Sequence, residues 1–276
     1  MVCIPLILYF SERIMKKTLC ITLIISMVFC LALPCFAANG EDPLVYVSIC
    51  HGTICLANAE VALSDADLDG SLTINDALML AHREYYSGGA DGYQSATGDW
   101  GLYITRLWGD ISGNYGYFVN NSSALSLSDT LDDGDRLTAY VYTDITTWSD
   151  LYSYFDKSSV QAVKGEEITL TLMGMGYDSN FATVTYPVSN AVITINGERT
   201  QYITDEEGKV GIIFDTEGDF VIGAKSDSVT LVSPVCTASV GKNTQTGDST
   251  AFIIIGALLI LFAMGYLSSC RKQYEK

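Results

Sequence analysis

The chain has 276 residues and carries 32 acidic against 15 basic side chains, which gives a formal net charge of −17 at pH 7. The imbalance lies between residues 39 and 250, where 30 acidic and 9 basic side chains give a net charge of −21. A surface this acidic repels phosphate backbones and suits cations, so the composition disfavours nucleic-acid binding.

The N-terminus has the pattern of a secretory signal peptide. Met15 is followed by two lysines, by an apolar run over residues 19–33 and then by small residues. Translation is therefore expected to begin at Met15, with everything before it a mis-started leader, and cleavage is expected after Ala37 or Ala38. Residues 1–38 would then be absent from the mature protein. A retained membrane helix is the alternative, and a lipoprotein is a minor one.

The first folded segment, LVYVSICHGTICLANAEVAL, is predicted to form a β-hairpin. Gly52 and Thr53 suit a two-residue turn with glycine first. Cys50 would then face Cys55 in a non-hydrogen-bonded pair, with Cα atoms about 4.5 Å apart and within reach of a disulfide. Two free thiols packed as small apolar residues are the alternative.

Residues 65–76, DADLDGSLTIND, have the spacing of a calcium-binding loop, with Gly70 at the sharp turn. The predicted ligands are four carboxylates and one main-chain carbonyl: Asp65, Asp67, Asp69, Asp76 and the carbonyl of Ser71. A hard cation needs several oxygens at about 2.3–2.6 Å, so the predicted cofactor is one calcium ion. An aspartate-rich turn that caps a helix without metal is the alternative.

This loop resembles the dockerin version of the EF-hand, in which the last ligand is Asp and only the exiting helix follows. Thr73 and Asp76 form a capping-box start, and the helix NDALMLAHREYY follows with an apolar face that includes Ala81. A dockerin carries two such loops and this sequence shows one, so cohesin binding is not implied. His82 is expected on the helix surface.

Short alternating strands separated by turn residues follow the helix, so residues 39–156 are predicted to form an α+β domain. The strands are expected around residues 102–107, 115–120 and 136–142.

The order of these segments resembles the DUF4430 family over residues 44–143. The matching features are a hairpin, a helix, a G-L-x-I strand, the YFVN strand at 117–120 and a D-G-D turn at 133–135 before a final strand. That family is similar to the C-terminal, β-grasp-like domain of the transcobalamin and intrinsic-factor proteins. The resemblance implies a β-grasp-like fold and makes a corrinoid one candidate ligand.

Aromatic side chains are frequent in this domain: Trp100, Tyr103, Trp108, Tyr115, Tyr117 and Phe118. Some must fill the core, since Tyr117 and Phe118 lie on opposite faces of one strand. Outward-facing Tyr and Trp rings stack equally well on a corrin, a glycan or a peptide. The predicted ligand-binding residues are Trp108, Tyr115 and Tyr117.

A second domain is predicted over residues 157–240, after the polar DKSS stretch at 156–159. Its strands recur about every ten residues with clean alternation, which is typical of a β-sandwich. The pattern resembles the Ig-like or transthyretin-like stalk modules of bacterial surface proteins, and it implies a spacer.

The C-terminus has the layout of a membrane anchor. Residues 241–250 are a linker, 251–269 are predicted to be a transmembrane helix and 270–276 a basic cytoplasmic tail. Within the linker, NTQTGD at 243–248 resembles a degenerate sortase sorting signal of Gram-positive surface proteins, which implies attachment to peptidoglycan through Thr246. An ordinary single-pass anchor is the alternative.

These features predict a protein on the outer face of the cell, anchored to membrane or wall. The predicted function is a calcium-stabilised binding or adhesion module for a small extracellular ligand. A purely structural stalk, and an extracellular enzyme with unrecognised carboxylates, are the other two classes. No G-x-S-x-G, H-E-x-x-H or phosphate-binding glycine loop is present in the sequence, so an enzyme is not predicted and no catalytic residue is assigned.

Overall fold

The computed structural model describes residues 42–99, 101–178, 180 and 182–241, and residues 43–241 belong to one compact unit. The predicted signal peptide, membrane helix and sorting residue Thr246 lie outside these residues. Within them, no helix is long and apolar enough to cross a membrane. The described chain is mostly β-sheet with a single α-helix.

The N-terminal half, residues 43–141, is a five-stranded mixed sheet with a helix on one face and a separate hairpin. Its elements are β1 (Leu44–His51), β2 (Ile54–Ala62), α1 (Ile74–Tyr85), a 3-10 turn (Gly89–Gly92), β3 (Gln94–Gly98), β4 (Gly101–Arg106), β5 (Tyr115–Val119), β6 (Ser122–Ser123) and β7 (Arg136–Val141). The strand order is β2-β1-β7-β5-β6, and β3 pairs with β4. The first and last long strands, β1 and β7, run parallel at the centre, while the flanking pairs are antiparallel.

Helix α1 packs its apolar face on this sheet, as the period of its sequence predicts. Ala77, Leu78 and Ala81 are buried in one core with Val47 of β1 and Leu137 of β7. The alternation of the two strands sends every second side chain to this face, so helix and sheet close one hydrophobic core.

The C-terminal half, residues 151–241, consists of two five-stranded sheets. Its strands are β8 (Leu151–Phe155), β9 (Ser159–Val163), β10 (Glu167–Tyr177), β11 (Thr183–Pro187), β12 (Val192–Ile195), β13 (Glu198–Ile203), β14 (Lys209–Ile213), β15 (Gly218–Lys225), β16 (Leu231–Val232) and β17 (Cys236–Gly241). One sheet has the order β11-β10-β8-β16, with β14 also paired to β10, and the other is β13-β12-β15-β17-β9. Leu172 from the first sheet and Ile193 and Ile222 from the second share one core.

The strand β8 marks where this half begins. It pairs with β10 and with β16, both of which belong to the C-terminal half. The boundary predicted after Asp156 therefore lies one strand too late by strand pairing. The aromatic segment LYSYF before it forms β8 and belongs to the second half.

A third apolar cluster joins the halves. Cys50, Phe118 and Tyr140, from the sheet face opposite the helix, pack with Tyr152 and Val232. The rings of Phe118 and Tyr152 are stacked with centroids 3.6 Å apart. The first sheet is therefore buried on both faces at this point, and the two halves pack directly on each other.

The turn between β1 and β2 differs from the predicted one. Cys50 pairs with Ile54 and Ile49 with Leu56, so Cys55 falls in a β-bulge and does not face Cys50. The predicted register is therefore wrong, because one extra residue is accommodated beside the turn. Cys50 is buried, Cys55 is half-buried, and both are free thiols.

Candidate metal centre and aromatic groove

Three carboxylates of the predicted calcium loop converge. One oxygen each from Asp65, Asp67 and Asp76 lie within 4.8 Å of one another. Two oxygens bound to one calcium ion at about 2.3–2.6 Å are at most about 5 Å apart, so this spacing fits shared coordination. The donors are all oxygen, the type that calcium prefers.

Asp76 ties the loop to the first turn of α1. It is fully buried, and its carboxylate accepts hydrogen bonds from the N–H of Ala66 (2.7 Å) and from the N–H (2.9 Å) and hydroxyl (2.7 Å) of Thr73. Thr73 is the N-cap, and the reciprocal bond from the Asp76 N–H completes the predicted capping box. One carboxylate therefore serves both the helix start and the candidate site.

The remaining predicted ligands lie in the exposed part of the loop. Asp65 accepts from the N–H groups of Asp69 (3.0 Å) and Gly70 (2.9 Å), and Gly70 has φ 90°. That left-handed conformation is the sharp turn for which glycine is suited. The Asp69 carboxylate accepts from the N–H of Ser71 (2.8 Å) and lies outside the group of three. The structure thus brings together three of the four predicted carboxylates.

Asn75 is a site residue that the sequence analysis missed. Its side-chain N–H₂ donates to Asp67 (2.7 Å), and its side-chain oxygen accepts from the hydroxyl of Tyr93 (2.8 Å). Asn75 is buried, and a buried amide needs such partners. The signal available in the sequence was a polar residue on the first helical turn beside Ile74, with its amide able to hold a loop carboxylate in place.

A distant segment satisfies the other free N–H groups at the start of α1. The N–H of Ile74 donates to the carbonyl of Asp129 (3.0 Å) and that of Asn75 to Leu127 (3.0 Å). The N–H of Leu131 returns a bond to Leu72 (3.0 Å). The candidate metal loop is therefore braced by the chain that leads into β7.

His82 is buried, so the expectation of a surface position is wrong. Its Nε2 accepts a hydrogen bond from the backbone N–H of Trp108 (3.0 Å), and its Nδ1 lies 2.6 Å from the carbonyl oxygen of Leu78. Burial lowers the pKa of His82 to about 4, because the charged imidazolium would lose its hydration. The neutral ring thus links α1 to the turn after β4.

The predicted aromatic ligand residues divide into two groups. Trp108 packs edge-on against His82 and Tyr86, with ring centroids 5.2 and 5.0 Å apart. Tyr115 and Tyr117 lie on a strand that borders a groove of about 410 Å³ where the two halves meet, but their side chains pack in the helix-side core, and Trp108 is not part of the groove lining. The structure therefore does not bring the three rings together in one ligand-binding surface: Tyr115 and Tyr117 pack in the core, and Trp108 serves the packing of α1.

The same groove contains Trp148, a residue that the sequence did not single out. Trp148 is 60% exposed, and Tyr177 at the end of β10 is 61% exposed. Tyr177 comes from the C-terminal half, so neither half forms the groove alone.

The chain matches no protein-family model and no curated protein. Among solved structures it is similar to the crystal structure of Dscam1 isoform 4.44, N-terminal four Ig domains, at 11% sequence identity and a TM-score of 0.22. The match covers 53% of this chain and 32% of that chain. A similarity at this score carries no argument about function.

Proposed function

We propose that the chain is an extracellular, surface-anchored binding module whose N-terminal half is stabilised by one calcium ion. The observation that carries the proposal is the convergence of Asp65, Asp67 and Asp76 at the start of the only α-helix among the described residues. Asp69 and Ser71, in the same turn, complete the proposed ligand set. A bound cation would offset the mutual repulsion of these carboxylates.

Stabilisation would extend beyond the loop because of what Asp76 holds. Its carboxylate accepts hydrogen bonds from Ala66 at one end of the loop and from Thr73 at the other. The first two residues of the helix donate to the carbonyls of residues 129 and 127. An ion that fixes this carboxylate would therefore fix the helix start and the approach to β7 together.

A thermal melt with and without calcium tests this proposal. At a calcium concentration one hundred times the dissociation constant, binding to the folded state alone adds about 2.7 kcal/mol. For a unit of this size the expected rise in Tm is about 5–10 °C. Asp65→Ala should abolish the rise.

The matched control is Asp205→Ala. Asp205 accepts from the N–H groups of Glu207 (2.9 Å) and Lys209 (2.8 Å) in an exposed turn of the C-terminal half. This variant loses similar turn bonds without touching the loop, so it should keep the calcium response. A Tm that calcium does not move in the wild type would reject the metal proposal.

We further propose a β-grasp-like, DUF4430-type N-terminal half on a β-sandwich stalk. Support comes from the order β2-β1-β7-β5-β6, with parallel central strands and a helix on one face, and from the two sheets that share a core in the C-terminal half. Secretion and anchoring rest on the sequence pattern of the two termini.

A structural stalk is the second candidate function. The stacked contact between Phe118 and Tyr152 favours it, because halves that pack directly suit a rigid spacer. One adhesion assay distinguishes the two functions. Trp148→Ala should weaken surface adhesion if the groove binds a ligand, and it should leave adhesion unchanged if the protein is only a structural stalk.

A further inference from the structure

The groove at the junction of the two halves is walled mainly by aromatic rings. Phe118, Tyr140 and Tyr142 come from the sheet face opposite the helix and from the connection after it, Trp148 from the loop that follows, and Tyr152 and Tyr177 from the C-terminal half. Its volume, about 410 Å³, lies within the range of small-molecule sites, about 300–1,000 Å³.

Trp148 is held rigidly although it is exposed. Its backbone has φ 51°, in the left-handed region that is unfavourable for a bulky side chain. Its backbone N–H donates to the carbonyl of Asp144 (3.1 Å), and its indole N–H donates to the side chain of Asn114 (3.1 Å). Trp108 has the same φ of 51°, so it is the hydrogen bonds of Trp148, rather than its backbone conformation alone, that fix its ring beside the groove.

The loop that carries Trp148 is fastened from both ends. Asp150 is buried, and its carboxylate accepts from the N–H groups of Thr143 (2.6 Å) and Asp144 (2.9 Å). Asp144 in turn accepts from the N–H of Thr146 (2.9 Å) and the hydroxyl of Ser149 (2.7 Å). The ring of Trp148 is therefore presented to the groove in a fixed orientation.

The electrostatic character of the groove favours a positive ligand. No Lys or Arg is among the described residues that line it, and its one charged group is the carboxylate of Asp150. The faces of Trp and Tyr rings are also the negative side of their quadrupoles. The chain as a whole carries a net charge of −17. An anionic ligand would meet repulsion from all three sources.

We propose that this groove binds a small organic cation of the quaternary ammonium class, with Trp148 as the main cation–π platform. This inference rests on the proposed function, since it names the ligand class of the binding module. A quaternary ammonium carries its charge on an apolar body, so it loses little hydration when it contacts rings. Such a contact changes affinity by a factor of roughly 2 to 30.

A titration with choline chloride, followed by tryptophan fluorescence, tests the proposal. The protein is the full chain, in a polyoxyethylene detergent whose headgroup is neither a sugar nor a cation. Choline should quench fluorescence saturably in the millimolar range or below. Its neutral carbon isostere, 3,3-dimethylbutan-1-ol, should bind at least about fivefold more weakly, since it keeps the shape and loses the cation–π attraction.

Variants locate the site. Trp148→Ala should reduce choline affinity about tenfold, while Trp148→Phe should retain part of it, because a phenyl ring still offers a π face. Trp108→Phe is the matched control, since Trp108 packs on His82 outside the groove. That control should leave choline affinity unchanged. In Trp148→Ala, binding is read by calorimetry because the reporter ring is gone.

Phosphocholine separates the possible sources of the cation. Free choline should bind more tightly than phosphocholine, because the phosphate meets Asp150 and the acidic surface. Equal binding of choline and its neutral isostere, tighter binding of phosphocholine, or Trp148-dependent binding of a neutral glycan without choline binding would each overturn the inference. Calcium-dependent melting reports the loop and choline quenching reports Trp148, so a failure of the proposed function is distinguishable from a failure of this inference.

Discussion

Two loops of this chain are built on aspartates, and they use the carboxylates differently. In the loop at 65–76 the carboxylates also accept backbone hydrogen bonds, but three of them from separate residues face one another within 4.8 Å. In the loop at 143–150, each carboxylate serves the backbone around it. Asp144 accepts from the hydroxyls of Thr147 and Ser149 and from nearby N–H groups, and these hydrogen bonds hold its pKa below the ordinary range.

The difference shows what separates a candidate cation site from an acidic turn. Hydrogen bonds to a single carboxylate favour its charge and fix the loop, and they leave nothing for a metal to offset. Carboxylates that face one another repel, and a cation relieves that repulsion. Acidic residues that lie close in sequence therefore do not identify a site until the fold shows whether they converge.

The largest effect is expected at Asp76, which combines both uses. Asp76→Ala leaves the half-buried N–H of Ala66 and both buried donors of Thr73 without their acceptor. Each unsatisfied buried group costs about 1–3 kcal/mol, so the free energy of unfolding should fall by about 3 kcal/mol or more even in a calcium chelator. Urea unfolding in EGTA measures this.

Asp205→Ala provides the comparison for that experiment. Asp205 makes its two turn bonds at an exposed position, so the same substitution should cost less than about 1 kcal/mol. Similar losses in the two variants would mean that Asp76 acts as an ordinary turn residue.

The next effect is a pH dependence from His82, at the other end of the same helix. The pKa of His82 is about 4 in the folded chain against an ordinary 6.5. Stability from the neutral ring is fully present above pH 6.5 and falls as the pH drops towards 4, because the unfolded chain takes up a proton that the folded chain excludes. The loss over this window should be of the order of 3 kcal/mol.

Glutamine tests the histidine directly. His82→Gln keeps an acceptor for the N–H of Trp108 and a donor for the carbonyl of Leu78, and it has no proton to gain. The difference in unfolding free energy between wild type and variant should change between pH 6.5 and 4 and be constant above pH 7. A constant difference throughout would show that His82 titrates normally.

The local features of the fold were predictable from the sequence because short-range rules determine them. The capping box of Thr73 and Asp76 depends on residues three apart, and it is confirmed. The alternation of Val210, Ile212 and Phe214 is confirmed as well, since all three are buried. A strand with one apolar face buries that face against the core, so its orientation in the sheet follows from the alternation of its residues.

The failures depend on contacts distant in sequence. His82 is buried against the turn after β4, where the backbone N–H of Trp108 donates a hydrogen bond to its ring. The two residues are 26 positions apart in sequence, so no local pattern predicts the contact. Cys50 does not pair with Cys55 because a β-bulge shifts the register, and the residues of the turn do not predict that bulge. The role of Trp148 needs both halves, since Tyr177 of the C-terminal half completes its groove.

The smallest effect on stability is expected at Asp144, where the effect on binding is larger. Asp144→Ala removes the acceptor for the Thr146 N–H and the Ser149 hydroxyl at the surface, so Tm should stay within about 2 °C of the wild type. The released loop would let Trp148 leave its left-handed conformation. Choline affinity should therefore fall severalfold, and the fluorescence anisotropy of Trp148, read in a background in which the other two tryptophans are replaced (Trp100→Phe and Trp108→Phe), should decrease.

The pKa of Asp144 gives the same argument a pH test. Because that pKa lies below the ordinary value, the stability it contributes is present above the ordinary pKa of an aspartate and is lost as pH falls through the lower folded value. The loop should therefore hold Trp148, and choline should still bind, at pH 3.5, where an aspartate with the ordinary pKa of 3.8 is mostly protonated. Asp178→Ala is the control, since Asp178 accepts similar backbone bonds from residues 180 and 182 outside the groove lining. If Asp178→Ala lowers choline affinity as much as Asp144→Ala does, the hydrogen bonds of Asp144 are not what orients Trp148.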